Sequence, residues 1–363
     1  MGKFTPQPPR GGLLKKWLIN LIVLLLITNF NIYSQTIKIG LLIQDSSYTS
    51  AVHGAELAVR KANEKGGMNG RPFRIVSRSM EGPWGTGSKQ AVDLIFNEKV
   101  WALLGSHDGR NAHLVEQAAT KSIVVFISAW SADPTLTQAF VPWCFNCVPN
   151  DDQQAAALFD DIYEKRKFSK IAVIYDDEYN SMQSLKAFLK IIKQKGKAAP
   201  DQFQYEKYNN DIERLLNHID KPELNCIIIF CIPVNSSSIS NRLREFKPDM
   251  PLYGSLSALN EDHLTINQLQ YLGKSLNIPS AGWSESLSSE FSREYEKAFG
   301  KPPGMVAAYS YDGMNILINA IRKTGAPDRE KIQEALREIE YYGVTGIIRF
   351  DDMGKREGKA FIF

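Results

Sequence analysis

Several short stretches of this 363-residue chain carry side chains whose types and spacing could do chemistry. Gly82-Pro-Trp-Gly-Thr-Gly-Ser-Lys89 has the outline of a phosphate-cradling loop. Such a loop needs its lysine directly after the last glycine; Ser88 intervenes and would aim the ammonium elsewhere. His107, Asp108 and His113 could converge on a metal, but they show neither HExxH spacing nor a further obvious ligand. Cys144 and Cys147 lie in a strand-like run, where three residues span about 10 Å against the ~4.4–6.8 Å between Cα atoms that a disulfide requires. Cys226 and Cys231 flank another such run and are further apart still. Neither pair has the turn a zinc or redox CxxC needs, so the cysteines read as buried thiols, with a bridge between the two segments left open. Asp312, in Tyr311-Asp-Gly313, reads as part of a helix and not as an acid catalyst. No nucleophile elbow or glycine-rich dinucleotide turn occurs. The chain therefore reads as a binder and not an enzyme, with no cofactor and no resident metal expected.

What remains is recognition, and Arg110 is its centre. In Gly105-Ser-His-Asp-Gly-Arg-Asn111 a strand gives way to a helix, and a guanidinium beside helix amides suits a carboxylate. A solvated surface arginine, or an ion pair with Asp108, is the other reading of the same residue. Trp130 and Trp84 either wall a cleft by stacking on a ligand or pack on the protein's own surface.

These residues need a scaffold, and the apolar pattern supplies one. Strands are expected over 37–43, 73–77, 100–104, 123–127 and 143–148, with helices over 53–65, 88–98 and 112–121 between them. Gly66-Gly67 ends the first helix and Asn69-Gly70 turns the chain into the next strand. A second series follows, with helices over 152–166, 181–195, 211–218 and 238–246 and strands over 170–175, 203–206 and 226–232. The remainder supplies helices over 288–299, 306–323 and 328–340, then strands over 344–350 and 359–363. Short apolar strands separated by helices of ~10–15 residues indicate parallel sheets covered on both faces. The fold class is α/β, with two Rossmann-like doubly wound lobes meeting near Pro149. The late elements exceed what the second lobe needs, so some return to the first.

In such sheets ligands sit beyond the carboxyl ends of the strands. The loops there are 105–111, Ser128-Ala-Trp-Ser131, Asp176-Asp-Glu-Tyr-Asn180, Pro233-Val-Asn-Ser236 and Gly254-Ser-Leu-Ser257, which put Asp108, Trp130, Asn235 and Ser255 among the candidate contacts.

Composition narrows the partners. Basic and acidic residues number 43 and 40, a near-balance that argues against nucleic acid. The first 35 residues differ from the rest: Lys15 and Lys16 precede an apolar run over 17–30, which is short for a spanning helix but suits a secretory signal ending near Ser34. An uncleaved anchor is the other reading. Both export the body, to the periplasm or another extracytoplasmic space.

His53-Gly-Ala-Glu-Leu-Ala-Val59, Asn63-Glu-Lys-Gly-Gly-Met-Asn-Gly-Arg-Pro72, Ser128-Ala-Trp-Ser-Ala-Asp-Pro-Thr-Leu-Thr137 and Val148-Pro-Asn-Asp-Asp-Gln-Gln154 resemble the type I periplasmic binding proteins, nearest to the leucine/isoleucine/valine-binding group of ABC importers. The resemblance runs over essentially all of 36–363. It implies lobe 1 from 36–148 plus about 277–355, lobe 2 from 149–276 plus about 356–363, and a multi-strand hinge. It also implies a small-molecule ligand, an ABC permease in the membrane as partner, and a monomer. In the amino-acid binders the first loop gives a serine hydroxyl for the carboxylate, where this chain aligns Arg110. The Ala and Thr of the second loop correspond to Ser131 and Ala132, and the tyrosine of the third is Tyr179. The acidic residue that holds an ammonium would fall in 254–257, where this chain has none. The resemblance thus leads to an anionic or neutral solute in preference to a zwitterion. A ligand sensor read by a membrane receptor is the alternative to transport.

Overall fold

A computed structural model describes residues 1–2, 36–106, 108–138, 141–208, 212–282 and 285–362. The proposed export signal with Lys15, Lys16, the 17–30 run and Ser34 lies outside the described residues, as does His107.

Strands β1 (Ile37–Ile43), β2 (Phe73–Ser79), β3 (Ala102–Ser106), β4 (Val125–Ser128) and β5 (Cys144–Asn146) form one parallel sheet in the order β2-β1-β3-β4-β5. Helices α1 (Thr49–Glu64), α2 (Thr86–Phe96) and α3 (Gly109–Lys121) connect them. After α4 (Asp151–Phe159), strands β6 (Ile171–Tyr175), β7 (Asp201–Gln204), β8 (Cys226–Phe230) and β9 (Leu252–Gly254) form a second parallel sheet, in the order β7-β6-β8-β9. Its connections are α5 (Tyr179–Gln194), α6 (Ile212–Ile219) and α7 (Pro233–Phe246). Then come α8 (Ile266–Ser275), β10 (Pro279–Ser280), α9 (Glu285–Phe299), α10 (Met305–Lys323), α11 (Arg329–Arg337), the hairpin β11 (Tyr341–Gly343) and β12 (Gly346–Ile348), and β13 (Phe361–Ile362).

Strand parity explains why both sheets are covered twice. Along β8, Ile227 and Ile229 join Leu215, Leu216, Ile239 and Leu243 of α6 and α7, while Ile228 and Phe230 join Phe159, Leu185 and Phe188 of α4 and α5. Each fully buried isoleucine contributes ~1.5–3 kcal/mol, so a polar residue on either face would be costly. In the first sheet α10 lies on α1, and the approach is close: a Cβ at Gly54 would sit 2.2 Å from the Ala307 carbonyl oxygen. Arg329 of α11 donates to the carbonyls of Val100 and Ser122, so the late helices cover the first sheet.

Several boundaries differ from expectation for local reasons. α7 starts at Pro233 and not 238, because proline in the first turn lacks only an N–H that has no helical partner. α8 was not expected: few of its residues are buried, yet a capping box marks it, with Thr265 Oγ1 accepting from Gln268 N and Gln268 Oε1 accepting from Thr265 N. The strand expected over 344–350 is instead the second half of the β11–β12 hairpin, which turns at Gly346 with φ 90°.

Where the chain passes between the sheets, β10 pairs antiparallel with β13, and Asn146 bridges to Lys355. Arg356, 1% exposed, ties these passages together. It donates to the carbonyls of Cys147 (2.8 Å), Thr345 (2.7 Å) and Ile347 (2.9 Å) and to Thr345 Oγ1 (3.3 Å). The Asp312 carboxylate accepts from Val344 N, Thr345 N and Thr345 Oγ1 at 3.0, 2.8 and 2.7 Å, and so pins α10 to the hairpin. Burial pushes its carboxyl up to about 6, with those bonds and Arg356 opposing the rise.

Candidate functional site

Strand order reverses between β1 and β3 in the first sheet and between β6 and β8 in the second, and loops diverge at each such point to leave a crevice. The two crevices face one another. Gln44 and Asp108 follow β1 and β3; Glu178, Cys231 and Ile232 follow β6 and β8; all line one cavity of about 320 Å³. Its aromatic wall is Tyr48, Trp130 and Tyr179, and its aliphatic wall is Ile232, Pro233 and Val234. Ile232 and Val234 are 37% and 46% exposed, unusually open for such side chains at a helix start.

Arg110 stands at the second position of α3, exposed, its guanidinium carbon 5.1 Å from the centre of the Tyr179 ring. The ring face favours the cation and orients it. Among the described residues no carboxylate forms an ion pair with Arg110, Asp108 included. Asp108 instead caps α3, accepting from Asn111 N at 2.9 Å and from Asn111 Nδ2 at 3.2 Å. The expectation of free amides beside Arg110 needs correction: Gly109 N donates to Asn180 Oδ1 at 3.4 Å and Asn111 N to Asp108, so the cation, more than the helix start, is what a ligand meets.

Side-chain bonds join the two faces. Tyr179 Oη donates to Asp133 Oδ2 at 2.6 Å. Burial alone would raise the Asp133 carboxyl, but hydrogen bonds from His113, Thr135 and Tyr179 hold it down at about 2. Hydrogen bonds to Asp133 first and then to Glu116 push His113 up to about 9. Burial, followed by the hydrogen bond to Asp133, pushes Tyr179 up to about 12. In the same cavity, Tyr48 Oη and His263 Nε2 share a hydrogen bond of 2.7 Å, with the rings edge-on. The segment that carries His263 continues onto the first sheet's helices: Glu261 accepts from Val306 N and Ala307 N at the start of α10, and Asp262 from Ser50 N at the start of α1.

The structure thus brings Asp108, Arg110, Trp130 and Tyr179 into one lining and places the other candidates outside it. Ser131 is 2% exposed, its hydroxyl accepting from Asp133 N at 3.3 Å. Ala132, half-buried, lines a small separate recess with Trp130, Asp151 and Gln154. Asn235 turns away to donate to Asp176 Oδ2 at 3.2 Å, and Ser255 is buried and bonded to Ser257, which takes its place in the lining. Trp84 is 80% exposed on the loop after β2 and lines a neighbouring recess. His113, one of the candidate metal ligands, is taken up by Glu116 and Thr135; among the described residues no group of three His, Cys, Asp or Glu could hold a metal ion.

Gln44, Tyr48, Asn260 and His263 line the cavity and were not anticipated. Gln44 immediately follows a strand, so the strand-end rule applied to the loop after β1 would have found it. Asn260 and His263 carry only a polar run as signal, because what places them is the long-range bond to Tyr48.

The sequence model of the family described as "Periplasmic binding protein" matches residues 36–362. A leucine-, isoleucine-, valine-, threonine- and alanine-binding protein of Pseudomonas aeruginosa is 21% identical over 305 residues, spanning 83% of this chain and 80% of that protein. The branched-chain amino acid transporter substrate-binding protein LivJ of Streptococcus pneumoniae, solved with isoleucine, superposes with a TM-score of 0.76 at 21% identity, covering 90% of this chain and 95% of that one. A solute-binding protein of an ABC transporter from R. palustris, solved with benzoate, gives 0.74 at 17% identity, with 90% and 92% covered.

Proposed function

We propose that this chain, which belongs to the periplasmic binding protein family, is an extracytoplasmic solute-binding protein that closes over a small carboxylate and presents it to an ABC permease. It acts as a binder and not as a catalyst. Residues 36–148 plus about 277–355 form one lobe and 149–276 plus about 356–363 the other, with residues 1–35 directing export and the mature protein working as a monomer. The packing of α10 and α11 on the first sheet supports this division.

Arg110 carries the reading: a cation without a carboxylate partner among the described residues, set between an aromatic and an aliphatic wall. Charge-assisted hydrogen bonds to it contribute ~1.5–3 kcal/mol to a bound carboxylate. Residues 254–257 include no Asp or Glu that could pair with an ammonium. Glu178 lines the cavity, but it is exposed at the start of α5, where water screens it. Calorimetric titration checks the reading: benzoate or 4-methylpentanoate binds the wild type and weakens at least about tenfold in Arg110→Ser, while leucine binds poorly. Tight leucine binding with no carboxylate binding overturns it.

A further inference from the structure

The cavity at Arg110 continues outward. A second recess of about 360 Å³ shares Gln44, Asp108 and Arg110 with the first and runs beneath the loop after β2 to Trp84. Tyr48, bonded to His263 at 2.7 Å, also donates to Gln44 Oε1 at 3.3 Å, beside the residues the two recesses share. A ligand that fills both recesses passes the shared residues, so Arg110 meets the middle of such a molecule and Trp84 its outer part.

The outer recess is a formed surface. Pro83 fixes the backbone before Trp84, and Thr86 closes the turn, donating from N and Oγ1 to the Pro83 carbonyl at 3.0 and 2.7 Å. Gly82 and Gly85 hold φ of 136° and 92°, and Gly87 lies so near Met80 that a Cβ there would come 2.4 Å from its Cε. The indole is therefore presented without being packed: 80% exposed, on an anchored turn, beside Met80 and Leu114. A single exposed tryptophan is unremarkable in itself. Continuity with a cavity that shares its cation is what gives this one a role.

We infer that the ligand is a carboxylate with an arm on each side of the acid, an N-acylated amino acid being the simplest such class, and that Trp84 stacks on the outer, acyl arm. This rests on the carboxylate reading of Arg110 given above. Acylation also removes the ammonium, for which residues 254–257 offer no acidic partner. The side chain would enter between Trp130 and the Ile232-Pro233-Val234 wall, and the amide would lie against Gln44 and Asn111.

The test compares 4-methylpentanoate, which has the acid and the inner arm alone, with N-benzoyl-leucine, titrated into wild type, Trp84→Ala and Trp84→Phe. N-Benzoyl-leucine is expected to bind wild type about tenfold tighter than 4-methylpentanoate, a gain that falls to within about twofold in Trp84→Ala and survives in Trp84→Phe. Affinity for 4-methylpentanoate stays the same in all three. No gain from the benzoyl arm, or a gain that survives Trp84→Ala, overturns the two-armed ligand while leaving the carboxylate reading intact. If neither acid binds, both readings fall.

Discussion

Polar groups are arranged differently at the hinge and at the cleft. In the hinge, Arg356 and Asp312 are 1% and 0% exposed, and between them they bond mainly to backbone: three carbonyls for the arginine, two amides and a hydroxyl for the aspartate. Across the cleft, Tyr179–Asp133 and Tyr48–His263 are one side-chain bond each, with Asp133 and Tyr48 buried. A buried network that satisfies backbone groups cannot come apart without stranding them, whereas a single bond at a cleft is exchanged for water at little cost. The Arg356–Asp312 network is therefore the more costly of the two to break, and the Tyr179–Asp133 bond the easier to exchange.

The largest expected effect lies in the hinge. Arg356→Met strands the carbonyls of Cys147, Thr345 and Ile347 and leaves Asp312 without its neighbouring cation, so urea unfolding should show a loss of about 3–5 kcal/mol. An unchanged midpoint would erase the distinction between hinge and cleft.

A pH experiment sharpens it further. Asp312 titrates near 6 in the fold against 3.8 when exposed, so its contribution is fully present below about 3.8 and is lost as pH rises through about 6. Asp133, held at about 2, has the opposite sign: its contribution is present above about 3.8 and is lost as pH falls through about 2. Stability measured from pH 7 down to pH 4 should therefore carry a rising component, on the order of 2 kcal/mol, that Asp312→Asn removes and Asp133→Asn keeps.

The smallest effect belongs to the cleft. Tyr179→Phe deletes one bond across the lobes and should weaken carboxylate binding about fivefold, near 1 kcal/mol, with no change in the urea midpoint. A drop in midpoint comparable to that of Arg356→Met would make the cleft contact structural.

What could be read from the sequence follows the same division. The parallel sheets were legible because strands such as Ile227–Phe230 of β8 are apolar on both faces, and the helix ends because Gly66 and Gly67 take φ of 88° and 63°. Arg110 and Tyr179 could be placed because each follows a strand end by a few residues. Arg356 left no mark: nothing local distinguishes a buried arginine from the solvated ones around it, and its acceptors lie up to 209 residues away. His263 and Tyr48 failed for the same reason, being 215 residues apart. Ser131, Asn235 and Ser255 sit in the right loops, but side-chain direction is set by local turns that loop position does not reveal.

The free thiols have a use of their own. Cys144 and Cys147 belong to β5 and its end in the first sheet, Cys226 and Cys231 to the two ends of β8 in the second, and all are at most 1% exposed. Burial holds each thiol well above its ordinary range, so a thiol reagent meets neither access nor thiolate while a lobe stays folded. Each lobe thus carries a native reporter pair, and the two labelling rates in one sample time the unfolding of each lobe separately without an engineered probe.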